Sequence, residues 1–70
     1  MRVTRSIRKT LDLVASHNED AALAVMRAAE RTGDQLLRQQ LLNVVHLLNQ
    51  DAQDLRAARA QMSDGELRRA

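Results

Sequence analysis

Apolar residues return every three or four positions through the first 31 residues, and the rhythm survives a polar interruption. Val3, Ile7, Leu11, Val14, Ala21, Ala22, Val25, Met26 and Ala29 fall on one stripe about 160° wide when successive residues turn by roughly 100°. The interruption is "SHNED", residues 16 to 20. Ser16 and Glu19 have the spacing of a capping box, which would start a new helix there. A break would reset the rotational phase, yet the apolar positions on either side agree in phase. Two helices of about 12 residues each would also be marginal. The pattern predicts one helix over 4–31, with Asn18 near the centre of its apolar stripe.

"RTGDQLL" ends that helix. Gly33 can adopt the left-handed conformation that closes a helix, and Asp34 can cap the next one. The second helix is predicted over 35–62, where no proline or glycine intervenes. "SDGE" at 63 to 66 reads as a stop, and 63–70 as a frayed tail. A connection this short folds the two helices into an antiparallel hairpin. Leu11 is expected opposite Leu55, Val14 opposite Ala52, Val25 opposite Leu41, and Ala29 opposite Leu37.

The second helix carries more apolar surface than one neighbour can cover. Leu36, Leu37, Leu41, Val44, Val45, Leu47 and Leu48 all lie in its first half. These residues span an arc of roughly 180°, and Leu42 widens it. Together with Leu55 they form the expected interface for a partner. A two-helix contact covers only a narrow seam, and a contiguous patch of leucines left in water is rare in soluble monomers. The simplest partner is a second copy, giving a dimer and a four-helix bundle. The alternative is an amphipathic helix of another protein. Asn18 would then fix register, because a misaligned amide inside a bundle is left unpaired.

Composition narrows the class further. The 70 residues hold no cysteine, no proline and no Phe, Tyr or Trp, so disulfides and thiolate metal sites are excluded, and the composition argues against stacking on single-stranded bases. No apolar run approaches the roughly 20 residues of a membrane span, and the basic N-terminus lacks the unbroken apolar core of a signal peptide. The expectation is an all-α, soluble, cytoplasmic protein with no membrane contact.

No motif of nucleotide binding, nucleophilic hydrolysis or metal-assisted hydrolysis is present. His17, Asp20 and His46 are the only plausible ligand set, and all three project outside the apolar arcs. Neither an enzyme nor a cofactor or metal site is expected. Charge is more informative. Arg2, Arg5, Arg8 and Lys9 begin the first helix, while Arg56, Arg59, Arg68 and Arg69 lie late in the chain. A hairpin brings both groups to its open end, where they could meet phosphates or an acidic partner.

In plan the hairpin resembles the plasmid copy-number regulator Rop, a helical-hairpin dimer, and the small helical co-chaperones of bacterial secretion systems. No motif of either is present, so no residue role is carried over. The sequence thus points to a non-enzymatic helical interaction module, such as a small adaptor, co-chaperone or anti-activator. It would present the face around Leu36, Leu42 and Leu47. The alternative is a small nucleic-acid-binding regulator that uses Arg2, Arg5, Arg8, Lys9, Arg56 and Arg59.

Overall fold

A computed structural model describes the backbone of residues 2–69 and the side chains of residues 3–62. It contains two helices, α1 (Arg2–Arg31) and α2 (Gln35–Arg69). "SHNED" does not break α1, as the agreement of phase requires. At 1.5 Å per residue, α1 alone is about 45 Å long, and the whole molecule measures 55 × 16 × 11 Å. The helices therefore lie side by side, joined by Thr32–Asp34 in an antiparallel hairpin.

The turn holds itself together through polar contacts. Asp34 caps α2, its Oδ1 accepting from the Leu37 N–H at 3.0 Å, while its carbonyl accepts from the Arg38 N–H at 2.9 Å. The Thr32 hydroxyl oxygen accepts from the Asp34 N–H at 3.3 Å. Arg38 reaches back from α2 and donates through Nη2 to the Thr32 carbonyl at 2.9 Å, satisfying an acceptor at the end of α1. With these contacts in place, Gly33 is not left-handed as expected: no glycine has a positive φ among the described residues.

A second correction concerns the end of α2. The backbone stays helical through "SDGE" to Arg69. Without a proline to remove a donor, one glycine costs a helix only about 1 kcal/mol. The side chains of 63–70, where fraying was expected, lie outside those described.

The seam is built from small residues. Ala15, Ala22, Ala29, Val45 and Ala52 are the buried side chains among the described residues. Ala15, Ala22 and Ala29 recur every seventh residue, as do Val45 and Ala52. Beside this closed row runs a second row, also spaced by seven: Leu11, Asn18 and Val25 on α1, and Leu41, Leu48 and Leu55 on α2. All six are half-buried. Together the two rows give the alternating three- and four-residue spacing of an antiparallel coiled coil. Alanine is short enough to let the backbones approach, so the closed row is the alanine row and the longer side chains are displaced to one side. The expected pairings of Val14 with Ala52 and of Ala29 with Leu37 each placed in the seam a residue that lies outside it. Val14 and Leu37 remain exposed, and Ala15 lies in the seam instead.

A candidate helix-packing face

The two broad faces of the hairpin are chemically distinct. On one, Arg56 Nη2 donates to Glu19 Oε1 at 2.6 Å, and Arg59 Nε donates to Asp12 Oδ2 at 3.2 Å. Both pairs cross from α2 to α1 beside the alanine row. The Glu19 carboxylate, by accepting that hydrogen bond and by its charge, holds the Arg56 guanidinium above its ordinary pKa. Leu42 and Asn49 precede Arg56 at seven-residue intervals and so belong to the same side of α2.

Among the described residues no such bridge spans the opposite face. Flanking the leucine row there are Ile7, Val14, Ala21 and Ala28 on α1, and Leu37, Val44, Asp51 and Ala58 on α2, each set spaced by seven. Val14 is 39% exposed, Leu37 42%, Val44 41% and Ile7 43%. Leu11, Val25, Leu41, Leu48 and Leu55 show through between them, since half-burial leaves part of each side chain on this face. The result is an apolar strip along the hairpin, here called the open face.

Three polar residues interrupt the strip near mid-length. Asn18 stands within the leucine row and is half-buried; Asp51 lies at its edge, exposed; His17 is exposed at the opposite edge. No hydrogen bond engages the Asn18 side chain among the described residues.

The residues singled out from the sequence divide among these surfaces. Leu37, Leu41, Val44, Leu48 and Leu55 lie on the open face or show through onto it, and Leu47, well exposed, sits at its margin. Val45 is consumed inside the hairpin. Leu42 is half-buried toward the ion pairs, and Leu36, 69% exposed, points away from the seam. Leu36, Leu42 and Leu47 therefore do not share a face. That expectation treated the width of the apolar arc as one surface, whereas the seam divides it.

The basic residues divide as well. Arg56 and Arg59 are bound by Glu19 and Asp12. Arg8 is half-buried, and Arg5 and Lys9 are exposed at the open end. Arg2, Arg68 and Arg69 lie outside the described side chains. His17 and His46 fall on opposite broad sides of the hairpin, and no group of three or more potential metal ligands is gathered among the described residues. No described helix is long and apolar enough to cross a membrane.

What sequence reasoning missed is Ala15 and the closed row it forms with Ala22 and Ala29. Its signal was present as alanine at 15, 22 and 29, and again at 52, but periodicity weighted by hydrophobicity favours the larger side chains. Comparison with protein-family models, with curated proteins and with solved structures finds no match to this chain.

Proposed function

We propose that the protein is a non-enzymatic interaction module that works by helix–helix packing, with the open face as its contact surface. An adaptor, co-chaperone or anti-activator would use such a face to cover an apolar surface on its partner. The observation that carries this reading is the division of labour within the hairpin. Alanines close the internal seam, and the larger apolar residues Val14, Leu37 and Val44 are left about two fifths exposed. Full burial of such a side chain is worth about 1.5–3 kcal/mol, so each still has roughly 1 kcal/mol to gain from a partner.

The pairing of Arg56 and Arg59 with carboxylates supports the same reading over phosphate binding, because two arginines of the basic group already have counter-charges.

A photoreactive amino acid placed at Val44 in living cells tests this, with the same substitution at Asn49 on the ion-pair face as comparison. Polypeptide adducts from position 44 and not from 49 are expected. Adducts to nucleic acid alone, or none from position 44, would overturn the reading.

A further inference from the structure

We infer that a phase shift across the turn keeps each chain folded on itself: the hairpin does not straighten into one continuous helix and exchange its halves with a second copy. This stands on the seam between α1 and α2 and is independent of what the open face meets.

The local signals at the turn are weak. Gly33 has no positive φ, and the backbone passes helically through Asp64 and Gly65. A glycine beside an aspartate therefore does not by itself end a helix of this chain, and no proline is present to do so. Running on through Thr32–Asp34 would lose the Asp34 cap and the Arg38 bond to the Thr32 carbonyl. It would gain the hydrogen bonds that the two helix ends otherwise lack. Two copies straightened in this way could pair α1 of each with α2 of the other, an exchange to which hairpins with short connections are prone.

The rows of the seam stand against it. On α1 the closed row is Ala15, Ala22 and Ala29; on α2 it runs through Arg38, Val45, Ala52 and Arg59, with half-buried arginines at its two ends. Arg38 follows Ala29 by nine positions, two more than a heptad. The second row repeats the shift, since Leu41 follows Val25 by sixteen positions, two more than two heptads.

In an unbroken helix two residues are about 200° of rotation. The seam side of α1 and the seam side of α2 would then point in nearly opposite directions. A two-stranded coiled coil needs its rows on one continuous side. Coiled coils absorb insertions of three or four residues by local winding, but two is more than half a turn from register. No single second copy can cover both rows of a straightened chain. Reversal at Thr32–Asp34 is what lets the two rows meet.

Deleting Gly33 and Asp34 removes the shift. Arg38 then follows Ala29 by one heptad, and Thr32 joins the second row midway between Val25 and Leu41. Thr32 alone is also too short a connection, because helical hairpins use about two to five residues. Deleting Thr32, Gly33 and Asp34 forbids the hairpin equally but leaves the rows about 100° out of phase.

The chain has no cysteine, and Ser16 and Gln53 are both exposed, so Ser16→Cys with Gln53→Cys carries two spin labels. Diluting each labelled chain into its unlabelled counterpart makes double electron–electron resonance report the distance within one chain. The parent should read about 25 Å, the breadth of two adjacent helices, up to millimolar concentration and after refolding from urea. The two-residue deletion should move it to about 50 Å, at 1.5 Å per residue, in a cooperatively melting dimer. The three-residue deletion should melt well below that. A population near 50 Å in the parent would overturn the inference. So would a two-residue deletion that stays near 25 Å, or one that melts no higher than the three-residue deletion.

Discussion

The Arg56 guanidinium lies 2.6 Å from the Glu19 carboxylate across the hairpin, and that bond marks the side of the seam closed by charge. Both side chains are nearly half exposed, so water and salt compete with the contact. Glu19→Gln is therefore expected to lower the thermal midpoint only slightly at low salt, and not at all at 1 M salt, where the screening length is about 3 Å. Association should be unchanged, because this side faces away from the open face. Circular-dichroism melts at two salt concentrations, with a sedimentation run on each variant, check both parts.

The alanine row makes a stronger demand. Ala15 is completely closed to solvent, and a larger side chain there must push the two backbones apart. Ala15→Leu should cost about 1–3 kcal/mol by overpacking, although leucine is nearly as good a helix former as alanine. Urea unfolding reads this directly. A more stable variant would show that the helices are not held close by small residues.

At the turn, Gly33 has an ordinary backbone conformation and open space where a Cβ would project. Gly33→Ala should stabilise the protein by about 0.4–1 kcal/mol, because the unfolded chain loses freedom while the folded one loses nothing. The expected reading is a higher denaturant midpoint with an unchanged slope. A lower midpoint would mean that the turn needs a conformation only glycine adopts.

Asn18 stands in the leucine row without a partner inside its own hairpin. Asn18→Leu should raise the thermal midpoint and loosen the choice of oligomeric state, since an apolar residue fits the row without specifying a level. Lower stability with the oligomeric state unchanged would argue that Asn18 does not lie in a shared core.

The readable part of the fold was the part carried by phase and punctuation. Val14 and Ala21 agree in phase across "SHNED", and that agreement gave α1 as a single helix. "TGD" gave the turn, and Asp34 caps α2 as its side chain suggests. Backbone distance was harder to read. Ala15 and Val14 are neighbours in sequence and both apolar, and only the closeness of the helices decides which lies in the seam. The surplus apolar surface of α2 was evident from its leucines, but its division was not. Val45 goes inward, Leu42 goes toward the ion pairs and Val44 stays open, because the seam runs through the middle of the arc. The pairing of Asp12 with Arg59 was likewise hidden, because it depends on the register between helices and not on spacing within one.

Sedimentation equilibrium of the purified chain from micromolar to millimolar concentration tests most directly whether the hairpin's uncovered apolar strip is a working surface. The expected result is a cooperatively folded helical species whose mass reaches twice the single-chain value of 7.9 kDa within that range. A species of 7.9 kDa throughout, equally helical and equally cooperative in unfolding, would show that the hairpin is content alone and would contradict the account.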